Sequence, residues 1–263
     1  MKWIRNLPTL YIGLTLLRPL RPLRKRIDRY REEGNYEKEA EQICLAEQIW
    51  GNGVCERIGM DLHVSGLEHI PEGPVVFAAN HQGYCDIPAI AAAIPGHGIA
   101  QPIGFMAKKE LSQLPLYGDW IRRVRSCFID RADARASLRA IDEGISNLKL
   151  GFSMGIFPEG TRSRSDTPGE FKKGSLRLAT KPGVPVVPVA ISGTWKLYEA
   201  EGCLRPGRVD VRIHPAIETK DMDRKQANEL PAVVEGIIRA TLEELKSEHE
   251  LIYKEKGEKN GIK

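Results

Sequence analysis

The sequence predicts an α/β fold: a mostly parallel mixed sheet covered by helices on both faces, with an N-terminal helical membrane-associating segment. Three observations predict it. Short β-type apolar runs bounded by Gly and Pro recur between Leu62 and Ile213, helical patterns lie between several of them, and basic charge is concentrated near the N-terminus. Strands that alternate with helices pair in parallel and are buried on both faces. A chain of 263 residues that is 41% hydrophobic can bury a core for such a sheet.

The first element is a basic arm. Met1 to Tyr30 holds Lys2, Arg5, Arg18, Arg21, Arg24, Lys25, Arg26 and Arg29 against Asp28 alone, a local +7 in a chain whose total is +4. About −3 is left for the remainder, so the anionic partner implied is local. A membrane surface with anionic headgroups is the expected partner, and no nucleic acid. Leu7 to Leu17 is uncharged and follows Trp3, but a membrane-spanning helix needs about 20 apolar residues. The run is expected to lie in the headgroup boundary as a monotopic anchor, the alternative being a helix docked on the protein's own core. Secretion fits less well, because Arg18-Pro19 and Arg21-Pro22 follow at once with no small-residue cleavage pattern. The five cysteines form no Cys-x-x-Cys pair and read as free thiols, which places the chain on the cytoplasmic face of a membrane, peripheral or monotopic.

Residues 1–60 are read as the basic, amphipathic membrane-associating segment, 61–253 as the α/β domain that carries the chemistry, and 254–263 as a solvated tail. Ile43, Ala46, Trp50 and Val54 mark one helix face within Tyr36 to Ile58, and Gly51 and Gly53 predict a kink or a helix pair there. Strands are expected at Leu62–Val64, Val75–Ala79, Ile103–Ala107, Cys127–Ile129, Met154–Phe157, Val184–Ile191 and Val209–Ile213. Helices are expected at Ile87–Ile94, at Asp133–Leu150 with its Leu138, Ile141, Ile145, Leu148 stripe and Gly151 stop, and at Leu230–Leu245.

Four stretches carry chemistry. Asn80-His81-Gln82-Gly83-Tyr84-Cys85-Asp86 puts a histidine on the turn between a strand and a helix, with Asp86 placed to reach back to one imidazole nitrogen. Such a pair is a base and its orienter, able to take a proton from a hydroxyl near neutral pH. Phe128-Ile129-Asp130-Arg131 ends a strand in a planar fork of donors suited to phosphate, and Lys108 ends another. The bland alternative is a surface arginine paired with Asp130 or Asp133. Phe157-Pro158-Glu159-Gly160-Thr161-Arg162-Ser163 leaves a strand through a sharp turn whose amides and Thr161 hydroxyl can hold an oxygen-rich ligand. Arg162 would supply charge there, and Glu159 would bind an acceptor hydroxyl or brace an arginine. Val184 to Ile191, with a proline at both ends, reads as an apolar wall.

Together these stretches resemble the four sequence blocks of the 1-acyl-glycerol-3-phosphate acyltransferase (lysophosphatidate acyltransferase) family of glycerolipid acyltransferases. Asn80-His81 with Asp86 is similar to its His-x4-Asp block, Phe128 to Arg131 to its acceptor-binding block, Phe157 to Ser163 to its third block and Val186 to Val189 to its fourth. Met106 to Leu111 and Phe171 to Gly174 are similar to intervening segments. The resemblance implies that His81 is the catalytic base and Asp86 its partner, with Arg131, Glu159, Gly160 and, less directly, Lys108 at the glycerol-phosphate. It implies acyl transfer from acyl-CoA or acyl-carrier protein, with no further cofactor, to the sn-2 hydroxyl of lysophosphatidic acid, giving phosphatidic acid. Another lysophospholipid is the alternative acceptor. One departure stands out: six residues before Arg131, where the family often has Gly, this chain has Arg125.

Two other classes compete. Gly151-Phe152-Ser153-Met154-Gly155 fits a serine-hydrolase elbow, with His214 a candidate partner, but here a helix precedes and a strand follows, the reverse of what an elbow needs. A non-catalytic membrane-binding protein would use the basic arm alone. His81, Cys85 and Asp86 lack a second His or Cys cluster at ligand spacing, so no metal site is expected.

Overall fold

The computed structural model describes residues 15–95, 101–130 and 132–260, and the side chains of all of these except 134 and 251–260. Most of the Leu7 to Leu17 run, and Arg131, lie outside the described residues. Seven strands, β1 Met60–Ser65, β2 Val76–Ala79, β3 Ile103–Lys108, β4 Cys127–Ile129, β5 Ser153–Ile156, β6 Val186–Ser192 and β7 Gly207–Ile213, form one sheet ordered β1-β7-β6-β2-β5-β3-β4. Neighbours run parallel except β6 with β7. The helices are α1 Arg21–Glu32, α2 Tyr36–Ile58, α3 Asp86–Ala93, α4 Tyr117–Arg123, α5 Ala134–Lys149, α6 Arg177–Thr180 and α7 Arg224–Asn260.

The sheet divides the core into two layers because alternate strand residues point to opposite faces. Val75, Phe77 and Ala79 pack with Val54 and Ile58 of α2 and with Ala89 and Ile90 of α3. Val76 and Ala78 pack on the other side with Ile145 and Leu148 of α5 and Val234 and Ile238 of α7. The central strands β2 and β6 are buried along their whole length, which is why they read as unbroken apolar runs rather than alternating ones. Pro188 sits inside β6, not at its end; the antiparallel ladder with β7 begins only at Val189, so the missing N–H falls just outside it.

Local chemistry sets the helix ends. Asn35 accepts from Lys38 N at 3.2 Å to start α2, and Gly59 ends it in the left-handed region at φ 69°. Asp133 accepts from the amides of Arg135 and Ala136 to start α5. The glycines do not split α2 into a helix pair, since one helix of 23 residues runs through both of them. Gly51 serves packing instead: a Cβ there would stand 2.7 Å from the backbone nitrogen of Ala92 in α3.

The described part of the N-terminal arm is docked. Leu17, Leu20, Leu23 and Ile27 are buried with Ile43 and Ala46 of α2, while Arg21, Arg24, Lys25, Arg26 and Arg29 are exposed. α7 extends beyond the expected Leu230–Leu245 and carries residues 254–260 as helix, as a stretch rich in Glu and Lys allows.

Candidate active site

The carboxyl ends of the parallel strands place the site, as an open α/β sheet does. His81 follows β2 by two residues, Glu159 follows β5 by three, Thr194 follows β6 by two, and Lys108 closes β3. Asn80 ties two of these ends together. Its side chain donates to Ile191 O at 2.9 Å and accepts from Ile191 N at 2.8 Å.

His81 Nδ1 lies 2.6 Å from Asp86 Oδ2, the spacing of a strong charge-assisted hydrogen bond. Asp86 is fully buried in the first turn of α3, and it accepts from Gly83 N at 2.9 Å and from the Thr194 hydroxyl. Held as an acceptor on every side, the carboxylate puts the shared proton on Nδ1 and leaves the Nε2 lone pair for chemistry. Thr194 also lies 3.1 Å from Gln82 Oε1. The imidazole stacks on Phe157, centroids 4.0 Å apart, which fixes its ring plane.

Glu159 is turned toward backbone. Its Oε1 accepts from His81 N at 2.6 Å and its Oε2 from Gly169 N at 2.7 Å, so both oxygens are spent on backbone in a buried side chain. Burial raises its carboxyl above the usual range, and the two amides oppose that. Backbone bonds from Ser163 N to His81 O and from Arg164 N to Gln82 O clip the third stretch onto the first. Gly160 turns that loop at φ 71°, and a Cβ there would stand 2.9 Å from Lys172 Nζ.

Beside His81 opens a cavity of about 510 Å³. Its mouth includes Gly83, Tyr84, Lys108, Thr161 and Arg162, and its walls are apolar, among them Ile87, Phe105, Ile121 and Val124. One buried acid, Glu47 of α2, lines it and accepts from Ile103 N at 3.1 Å. Burial pushes that carboxyl well above the usual carboxylate range. Arg162 lines the cavity with its guanidinium 3.7 Å from the Tyr84 ring centroid and Nη1 2.9 Å from Glu199 Oε1. Lys108 is exposed and paired with Glu110 at 3.1 Å.

The geometry therefore gathers His81, Thr161 and Arg162 on one cavity, sets Lys108 at its rim, and buries Asp86 and Glu159 behind His81. Sequence reasoning passed over Thr194 and Glu199, because neither stands in a recognisable spacing with the residues it serves. Arg125 explains its own oddity: its φ is 60°, a conformation glycine adopts freely. Buried Glu39 grips its guanidinium at 2.6 and 2.8 Å, and that guanidinium also stacks over Phe152.

Ser153 begins β5, at the sheet end opposite His81, where its hydroxyl accepts from Val75 N at 3.1 Å. His214 bonds Thr241 at 2.9 Å, so the two hydrolase candidates do not meet each other in these contacts. No group of three or more metal-ligating side chains stands together among the described residues.

Comparison with known proteins agrees with this architecture. The profile of the acyltransferase family matches residues 61–192. A 1-acyl-sn-glycerol-3-phosphate acyltransferase of Pseudomonas aeruginosa is 30% identical over 71% of this chain and 71% of its own length. A chloroplastic 1-acyl-sn-glycerol-3-phosphate acyltransferase of Arabidopsis thaliana is 32% identical over 62% of this chain, and the match spans less than half of that protein, 45%. The crystal structure of the 1-acyl-sn-glycerophosphate (LPA) acyltransferase PlsC of Thermotoga maritima superposes with a TM-score of 0.73 at 32% identity, covering 94% of this chain and 98% of that one.

Proposed function

The chain belongs to the acyltransferase family, and from that premise we propose that it moves a fatty acyl group from acyl-CoA or acyl-carrier protein to the sn-2 hydroxyl of 1-acyl-glycerol-3-phosphate, giving phosphatidic acid. The observation that carries the reading is the His81–Asp86 pair, 2.6 Å apart, with His81 lining an apolar cavity and Asp86 buried behind it.

Nε2 of His81 takes the proton of the sn-2 hydroxyl while that oxygen attacks the thioester carbonyl. The carbon–sulfur bond then breaks, the thiolate leaves, and the imidazolium returns the proton to sulfur. Asp86 stabilises the imidazolium in between. A positioned base contributes about 10² to 10⁴ in rate, and holding two lipids in line supplies much of the rest. Arg162 and Arg131 are assigned to the acceptor phosphate, with Lys108 at the rim and the Gly160–Thr161 turn against the glycerol.

The cavity suits an acyl chain. Ile103, beside Glu47, is level with Val75 through the pairings of β3 and β2 with β5. His81 is six residues further on, about 20 Å at about 3.3 Å per residue. That exceeds half of the about 30 Å hydrocarbon core of a bilayer, the length one membrane acyl chain fills. Among the described residues no helix is long and apolar enough to cross a membrane. Lipid supply is assigned to peripheral contact at the cytoplasmic face, through the exposed bases of α1 and an anionic lipid surface.

The test is product formation by mass spectrometry with lysophosphatidic acid and a panel of other lysolipids, each offered with acyl-CoA and with acyl-carrier protein, beside His81→Ala. Phosphatidic acid from wild type and a loss of at least about a hundredfold in the variant are expected. Preference for another lysolipid would replace the acceptor. Inert protein that still binds vesicles would leave a membrane-binding role alone.

A further inference from the structure

We propose that Glu199 is the positioning residue that sets Arg162 against the phosphate group of the acceptor; the inference rests on the acceptor reading above. Glu199 lies seven residues beyond the stretch that the family profile matches, 61–192, and belongs to none of the four sequence blocks.

Its side chain is 3% exposed, and one of its oxygens does two things. Oε1 accepts from Tyr84 N at 2.9 Å and from Arg162 Nη1 at 2.9 Å, joining the turn that carries His81 to the loop that follows β5. The Tyr84 ring closes the other side, with the Arg162 guanidinium 3.7 Å from its centroid and Tyr198 edge-on to it at 5.7 Å. A guanidinium carries five donors in a rigid fork. Among the described residues only Nη1 has a hydrogen-bond partner, so Nε and Nη2 remain for a ligand in the cavity that Arg162 lines.

The arrangement is poor as a stabilising device. Oε2 of Glu199 is buried and has no hydrogen-bond partner among the described residues. It lies against Gly83, where a Cβ would stand 2.3 Å from it. A buried carboxylate with an unpaired oxygen costs stability, and a fold retains such a feature where a site needs it. What this one achieves is an arginine fixed in direction beside His81. Freed of Glu199, the long side chain would have to be ordered by the phosphate itself, and that ordering is subtracted from binding.

The hold also depends on pH. Burial raises the Glu199 carboxyl, as does the charge of Asp86 from α3, while Tyr84 N and Arg162 from the loop after β5 oppose it; the Cys85 thiol, also of the α3 turn, faces it too. Protonation at low pH removes the charge that grips Arg162, so acceptor affinity falls as pH falls. The acceptor phosphate titrates as well, and comparison of wild type with Glu199→Gln on the same lipid removes that contribution.

The experiment is steady-state kinetics of wild type, Glu199→Gln and Arg162→Lys, from about pH 5.5 to 8, with lysophosphatidic acid varied at saturating acyl donor and the reverse. Melting temperatures are taken to establish folding. Glu199→Gln is expected to raise KM for the acceptor about tenfold at pH 7.5, with kcat and the donor KM within about twofold. The ratio of variant to wild-type KM should shrink toward low pH, and the double variant should be little worse than Arg162→Lys alone. An unchanged acceptor KM, or equal losses in kcat and both KM values, overturns the proposal. If Glu199→Gln fails to fold, an unchanged acceptor KM in Arg162→Lys overturns it equally. Should wild type acylate a different lysolipid, the acceptor assignment falls, and the same split measured on that lipid decides the role of Glu199.

Discussion

Glu159 accepts the backbone N–H of His81 at 2.6 Å, so the loop after β5 holds in place the turn after β2. The contact spans 78 positions of sequence and joins the ends of two adjacent parallel strands. It gives the carboxylate of the turn after β5 a mechanical duty, that of holding His81 in position.

Glu159→Gln presents an amide N–H₂ to one of two backbone donors, leaving a buried group unpaired. Stability should fall by about 1–3 kcal/mol. Activity should fall through kcat, with the acceptor KM changed less than threefold, because His81 is misplaced and no acceptor contact is lost. A rise in KM with kcat intact would return Glu159 to the acceptor.

Thr194→Val removes the hydroxyl that donates to Asp86 while keeping the side chain's shape. The carboxylate then loses a partner worth about 1.5–3 kcal/mol. A drop of about tenfold or more in kcat is expected, and Asp86→Asn should lose about 10² or more by presenting the wrong partner to Nδ1. Full activity in Thr194→Val would show that Gly83 N and burial alone hold Asp86.

Glu47 predicts a pH dependence of stability. Its folded pKa is raised above the ordinary value of 4.5, so the folded state binds the proton more tightly than the unfolded state. The stabilisation is complete below the unfolded pKa and is lost as pH rises toward the folded one. Wild type should therefore weaken relative to Glu47→Gln by about 1.4 kcal/mol per pH unit across that interval. Denaturant titration of both proteins at pH 5, 6, 7 and 8 checks it, and a constant difference would mean that Glu47 ionises in the fold.

Ser153→Ala should keep acyl transfer and lose about 1–3 kcal/mol of stability, since the hydroxyl is the acceptor for Val75 N. Loss of turnover in a folded variant would restore the hydrolase reading.

Reversing Arg21, Arg24, Lys25, Arg26 and Arg29 to Glu tests membrane contact without uncovering the buried face of α1. Each base near an anionic surface is worth about 1 kcal/mol, so vesicle affinity should fall by at least about 10². Unchanged co-sedimentation with anionic vesicles would remove α1 from the contact.

Each of the seven expected strands appears within two residues of its observed bounds, because a buried strand announces itself as an apolar run between turn formers. His81 and Asp86 were legible as a pair for a related reason: five residues across a turn into a helix is a local distance. Gly51 misled. A glycine in a helix reads as a weak point, and only the packed structure reveals that Ala92 of the neighbouring helix needs its missing side chain.

The sequence by itself determined the alternation of elements, the burial of β2 and β6, and the pairing of His81 with Asp86, all of which are set by patterns shorter than one helix or one turn. The tertiary structure alone decided who supports them: Glu159 behind His81, Thr194 on Asp86, Glu199 on Arg162, and Glu39 on the left-handed Arg125. Those partners depend on which strand ends lie side by side, and the order β1-β7-β6-β2-β5-β3-β4 is chosen by the burial of whole faces against each other. No local periodicity carries that choice, so the residues that hold the site became visible only once the sheet was assembled.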